Sequence, residues 1–235
     1  MAKKNKEISS SNLIKVKPIT EGQKSVFETW KQGKNQFLFG CAGTGKTFIS
    51  LYLAMQDVLD LKTKYDKVIL VRSLIPTREI GFLPGDEEDK AALYQVPYQN
   101  MVKFMFEQPN EQAFNMLYDR LKNQGSLYFL STSFLRGLTF DNSIIIVDEC
   151  QNLNFHELDT ITTRVGQDSK IVFCGDFSQT DLLKQNEKNG LHDFLRILME
   201  MQEFNCVEFN IGDIVRSGFV RNYLIQKTKL GMGMD

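Results

Sequence analysis

The sequence predicts an α/β fold on a mostly parallel central sheet, and three observations carry that expectation. Short apolar runs recur along the chain at residues 37–39, 68–71, 127–130, 144–147 and 171–174, with a sixth at 206–209. Three of the runs lack the polar alternation of a half-exposed strand, as a sheet covered on both faces requires. Helical segments separate them, which lets successive strands run in the same direction.

Taken in order, residues 1–17 are polar, rich in Lys and Ser and without period, and read as a flexible basic arm. Order is expected from Pro18. Residues 23–31, QKSVFETWK, predict a short helix, and residues 37–39 predict a strand that ends in a glycine-rich turn. Directly after the glycines, TFISLYLAMQDVL carries apolar residues at helical spacing and predicts one long helix. Past the sixth run, helical residues lead into a loose tail at 231–235. No internal repeat or low-complexity linker interrupts residues 18–230, which read as a single domain of ordinary size.

Composition excludes several classes. The 28 Lys and Arg nearly balance 29 Asp and Glu, so this is no polybasic protein. The lysines at the start precede no apolar stretch of secretory type, and no window approaches the ~18 apolar residues that span a bilayer. Cys41, Cys150, Cys174 and Cys206 stand far apart without a CxxC pair, which suits buried free thiols in a reducing cytoplasm better than a metal site. The charge is unevenly spread. Residues 1–20 carry five Lys and one Glu, and residues 214–234 carry two Arg and two Lys, so the body between is acidic. Such ends suit either contacts to a phosphate backbone or solvated tails.

Residues Gly40, Cys41, Ala42, Gly43, Thr44, Gly45, Lys46 and Thr47 match GxxxxGK[ST] without a break. Glycines let such a loop curl around an anion with its N–H groups inward, while the following helix aims its positive end at the same phosphates. Lys46 can then reach the β- and γ-phosphates of a nucleotide, and the Thr47 hydroxyl can ligate Mg²⁺. The fourth long apolar run ends in Asp148 and Glu149, placing two carboxylates at the end of a buried strand, where α/β sheets bind ligands. Asp148 suits Mg²⁺ opposite Thr47, and Glu149 suits the activation of an attacking water. The fifth run ends in GDFSQ, so Gln179 can meet the γ-phosphate or its water, while Asp176 can cap the next helix. TKYD at 63–66 imitates a guanine-reading motif but precedes the second strand, and reads as a solvated turn.

These residues, together with LVRSLIPTREIGFLPGDEEDK at 70–90, FLRGLTF at 134–140, IIIVDECQN at 144–152, TRVG at 163–166, GDFSQTD at 175–181 and DIVRS at 213–217, resemble the PhoH-family ATPases. These are single-domain relatives of the ATP-binding half of superfamily 1 helicases. The likeness runs from about Pro18 to Leu230, with Cys150 standing where the family has alanine and Leu138 where a second basic residue is common. It implies a RecA-like P-loop NTPase fold, a three-layer sandwich. It also implies Gln23 as an adenine reader, against an ordinary surface glutamine, and Arg72 in a nucleic-acid-contacting segment. Arg136, Arg164, Arg216 and Arg221 are the arginines that could reach a γ-phosphate from the same or a neighbouring subunit, with Arg164 and Arg216 put forward for the nucleotide site. Residues 79–90 combine an acidic run with Phe82 and Leu83, suiting a contact tab or simple tucking into the core; Phe104, Phe106 and Phe114 read as core.

The resemblance further implies Mg²⁺-dependent ATP hydrolysis coupled to RNA or another single-stranded nucleic acid. The enzyme would be a homo-oligomer, a hexameric ring with ATP at its interfaces. The alternative is a nucleotide-dependent switch or scaffold that hydrolyses slowly and does not translocate. A small-molecule phosphotransferase fits less well, because GDFSQ and RGLTF have no place in it. A nuclease lacks a second set of carboxylates.

Overall fold

The computed structural model describes residues 7–73, 87–132, 135, 137–176 and 190–230, with side chains of the helix at 87–105 from Leu93 onward. Six strands, β1 (Asn35–Gly40), β2 (Lys67–Arg72), β3 (Leu127–Ser131), β4 (Ser143–Val147), β5 (Lys170–Gly175) and β6 (Phe204–Phe209), form one sheet in the order β3-β2-β4-β5-β1-β6. Every pairing between them is parallel. All six expected runs are therefore strands.

The helices are α1 (Glu21–Trp30), α2 (Lys46–Leu59), α3 (Glu87–Met105), α4 (Glu111–Asn123), α5 (Phe155–Thr162), α6 (Leu191–Glu200) and α7 (Gly218–Lys229). Strand periodicity divides the core in two. Leu38, Val68, Leu70, Ile144 and Ile146 pack with α1–α4 on one face, while Phe37, Ile69, Val71, Ile145 and Phe173 pack with α5 and α6 on the other. The result is the three-layer α/β sandwich of the P-loop NTPases. Because β4 is buried on both faces, truncating Ile145 to Ala would cost about 2–5 kcal/mol.

Parallel strands send all their C-terminal ends to one edge. The loops after β1, β2, β4 and β5 open there together, with β5 lying between the glycine-rich loop's strand and the acidic one. That crevice is where such sheets bind ligands.

Four expectations need correction, the last being that all four cysteines are buried. Residues 7–17 are not a free arm: Ile8 and Leu13 are buried in the α1–α4 core, and Ile14 N–H donates to the Met105 carbonyl at 2.8 Å. Val16 N–H donates to the Tyr52 hydroxyl at 3.1 Å, and that hydroxyl donates to the Ile14 carbonyl at 3.0 Å. Apolar burial outweighs the Lys- and Ser-rich composition. The TKYD stretch is a turn, but Tyr65 within it is buried. Phe106 and Phe114 are core, whereas Phe104 is 61% exposed and meets Phe48 edge-on. Among the cysteines Cys150 and Cys174 are buried, Cys41 is half-buried and Cys206 is exposed. Residues 1–6 and 231–235, and the tab with Phe82 and Leu83, lie outside the described residues.

Candidate nucleotide site

At the end of β1 the chain must turn sharply past β6. Gly40 does so with φ of 121°, and a Cβ there would overlap the Phe209 carbonyl. Cys41 N–H donates to that same carbonyl at 2.8 Å. The loop closes through Gly45, left-handed at φ 86°, and α2 starts at Lys46 without any side-chain N-cap. Its first amides are thus available to an anion.

Lys46 is almost fully buried. Its ammonium donates to the Cys41 carbonyl at 2.7 Å and pairs with Asp176 Oδ1 at 2.7 Å, with longer contacts to the Gly40 carbonyl and Thr44 Oγ1. Asp176 immediately follows β5, so its contribution is a partner for the loop lysine. The GDFSQ spacing pointed to this turn but not to that pairing.

The Thr47 hydroxyl donates to Asp148 Oδ1 at 2.6 Å, and the Tyr98 hydroxyl donates to Asp148 Oδ2 at 2.7 Å. Glu149 stands next, in a left-handed conformation at φ 52° that is strained for a residue with a Cβ. Gln151 donates to Glu149 Oε2 at 2.6 Å and accepts from Asp176 N–H at 3.1 Å, tying the ends of β4 and β5 together. Burial raises the Glu149 carboxyl above the usual range, reinforced by Asp148 and Asp176 and opposed by Arg72 and Gln151. The Cys41 thiol is also pushed up, chiefly by burial, which argues against a reactive thiolate in the loop.

Gly43, Thr44, Gly45, Lys46, Thr47, Tyr98, Asp148, Glu149, Gln151 and Asp176 line one cleft of about 790 Å³, large enough for a nucleotide, whereas Gly40, Cys41 and Ala42 stand behind its lining. Gln23 lines it too. Its Nε2 donates to the Thr44 carbonyl at 3.1 Å and its Oε1 accepts from Ile19 N–H at 3.0 Å, so it braces the loop and leaves one hydrogen-bonding position on each amide atom. Arg72 and Arg216 line the cleft as well, and Val215 N–H reaches the Gly43 carbonyl at 3.0 Å. Lys15 and Lys17, from the opposite end of the chain, share the same wall. Basic residues from both termini thus meet at the cleft, a convergence the charge count could not reveal.

Arg164 is not brought there. It follows α5, outside the cleft lining, where its guanidinium donates to Thr163 Oγ1 at 3.2 Å and its buried Nε meets no partner among the described residues. Gln179 and Arg136 lie outside the described residues. Sequence reasoning also missed Tyr98, Gln151 and the Lys46–Asp176 pair.

The described residues gather no group of three or more His, Cys, Asp or Glu around a metal position. A hydroxyl and a carboxylate 2.6 Å apart are instead the sparse hard-oxygen set that suits Mg²⁺, which takes most of its ligands from water and nucleotide phosphates.

A family model described as PhoH-like protein matches residues 15–226. The chain belongs to the PhoH family. Among its relatives, protein PhoH of Escherichia coli strain K12 is 32% identical over 190 residues, which is 80% of this chain and 51% of that protein. A PhoH-like protein of Synechocystis is 33% identical, covering 79% of this chain and 54% of the relative. Protein PhoH2 of Bacillus subtilis is 36% identical over 61% of this PhoH-family chain and 32% of its own length. The chain thus spans from a third to about half of these relatives. A chain from a structure of two Pif1 helicases unwinding forked DNA is also similar, at 16% identity over 82% of this chain and 43% of that one. Its TM-score of 0.34 is too low to carry an argument. Family and sheet topology make this a nucleotide-binding protein of the P-loop NTPase kind. Among the described residues no helix is long and apolar enough to cross a membrane.

Proposed function

We propose that the chain binds ATP with Mg²⁺ and hydrolyses it, and that single-stranded nucleic acid, RNA in the first place, governs the rate. The observation that carries the ATP reading is the meeting of Lys46, Thr47, Asp148 and Glu149 in one cleft, with Thr47 on Asp148 at 2.6 Å. Loop amides from Gly40, Cys41, Ala42, Gly43, Thr44 and Gly45 cradle the phosphates. Lys46 exchanges Asp176 for the β- and γ-oxygens, and Gln23 uses its remaining amide positions on the base. Thr47 and Asp148 would hold Mg²⁺, which neutralises charge on the phosphates when bound. Glu149, with its raised affinity for a proton, accepts one from the attacking water while Gln151 holds its other oxygen. Gln179 follows Asp176 closely enough in sequence to report on the γ-phosphate.

Arg216 completes the cleft from the chain itself. Arg164, remote from the cleft, would act only across an interface, which fits a homo-oligomeric ring in which a neighbour supplies a cation to the phosphates. The steady-state ATPase rate with single-stranded RNA, single-stranded DNA and duplex tests the reading. Stimulation by single-stranded RNA above the other two is expected. ATP hydrolysis unmoved by any nucleic acid would leave a slow nucleotide switch, and no Mg²⁺-dependent hydrolysis would end the reading.

A further inference from the structure

Asp148 is held from both sides. Its Oδ1 accepts from Thr47 at 2.6 Å, and its Oδ2 accepts from Tyr98 at 2.7 Å. Thr47 belongs to the phosphate-loop motif, but Tyr98 comes from α3, a helix outside every nucleotide motif in the sequence.

We propose that Tyr98 is a positioning residue for the magnesium site, fixing the plane of the Asp148 carboxylate so that its free lone pairs face the nucleotide phosphates. The proposal rests on the reading of the cleft as an Mg²⁺–ATP site. A carboxylate held by one oxygen still turns about its Cβ–Cγ bond, because that torsion has broad wells. A second donor on the other oxygen removes the freedom. Each carboxylate oxygen has two lone pairs, so both donors leave room for a metal-bound water.

Tyr98 is built to stay where it is. Its ring is 2% exposed and lies against Phe129 of β3 with centroids 5.8 Å apart. Close packing of this kind holds a side chain in one rotamer. Arg72, at the end of β2, lies close enough to act electrostatically on the phenol. The phenol's single proton goes to Asp148 Oδ2. Arg72 also lies over the Tyr94 ring, one turn earlier on α3, at 5.6 Å. The orientation of the metal carboxylate is thereby tied to α3 and to the end of β2, elements that the phosphate loop does not touch by sequence.

Tyr98→Phe in the full chain removes the hydroxyl and keeps the ring. Two readouts are needed: equilibrium binding of a fluorescent ATP analogue with and without Mg²⁺, and the Mg²⁺ dependence of hydrolysis. Metal-free affinity should stay within about twofold, while the Mg²⁺ concentration at half effect rises about five- to tenfold in both assays. Tyr118→Phe deletes a comparable buried phenol outside the cleft lining, and should shift neither midpoint. In an Asp148→Asn background, the further change Tyr98→Phe should add little to the Mg²⁺ midpoint. A Tyr98→Phe midpoint within twofold of the wild type, or below it, overturns the proposal, since the hydroxyl then only packs or blocks. A wild type whose nucleotide affinity ignores Mg²⁺ overturns the ATP reading and this proposal with it; a responsive wild type with an indifferent variant overturns this proposal alone.

Discussion

Two lysines are buried at opposite ends of the sheet, and their surroundings differ in kind. Lys46, at the C-terminal edge, lies 5.6 Å from the Phe209 ring centre but is also met by two backbone carbonyls, a hydroxyl and, decisively, the Asp176 carboxylate at 2.7 Å. Lys170 opens β5 at the other edge. It faces the Trp30 ring at 4.1 Å, donates to the Trp30 carbonyl at 3.2 Å, and among the described residues has no carboxylate ion pair. Its nearest acid influence, Asp57, is itself engaged by the Trp30 indole N–H at 2.8 Å. A buried ammonium paired with an exchangeable carboxylate is ready to change partners. One held by an aromatic face and a main-chain carbonyl has nothing to exchange, and serves packing.

The largest expected effect separates the two by function. Lys46→Ala should lower ATP turnover by about a hundredfold or more, whereas Lys170→Met should leave it within about twofold. Equal losses in a phosphate-release assay would show that both lysines matter only for folding. Glu149→Gln comes next. It should lower kcat by about a hundredfold while ATP still binds, because the amide fills the same space but takes no proton. A Glu149→Gln chain that turns over normally would remove Glu149 from the water-activating role.

Arginines divide in the same way, with smaller stakes. Arg216→Ala should weaken ATP binding about tenfold, as expected for losing a cation from the cleft wall. Arg164→Ala should leave ATP binding within about twofold and, on the proposed ring reading, lower turnover only at protein concentrations where such a ring would assemble. Calorimetric binding beside a concentration series of turnover distinguishes them, and loss of ATP binding in dilute Arg164→Ala would contradict its remote position.

The parts of this arrangement legible in sequence are those where one short stretch carries both structure and chemistry. Four aliphatic residues followed by Asp148 and Glu149 announce a buried strand and its acidic end together. GxxxxGKT likewise announces a turn, a helix start and an anion site. Tyr98 was illegible because α3 carries Pro97 and no clear apolar stripe, and because its partner is 50 residues away. The Lys46–Asp176 pair joins two motifs that were each read alone. Residues 14–17, IKVK, did carry a signal: they alternate between half-buried and exposed, the period of an extended segment, but the Lys- and Ser-rich composition around them masked it. Lys170 was invisible as a buried charge because Trp30 and Tyr65 reach it from far along the chain.

Lys170 also sets the finest test of the contrast, through pH. Burial pulls its ammonium down from 10.5 to about 8, with Asp57 opposing the fall and Lys64 assisting it. Between about pH 8 and 10.5 the unfolded chain therefore holds a proton at this site that the folded chain has released, so stability from Lys170 rises with pH across that window. Below it the folded state bears the whole cost of a buried charge, on the order of 3 kcal/mol. Lys170→Met keeps the stem and omits the charge, and the Trp30 carbonyl retains the Gly33 N–H at 3.1 Å. The variant should melt roughly 5 °C above the wild type at pH 7, with the gap narrowing by pH 9.5. If it melts lower at pH 7, the Trp30 ring and carbonyl stabilise the ammonium by more than its desolvation costs, and Lys170 resembles Lys46 more closely than its neighbours suggest.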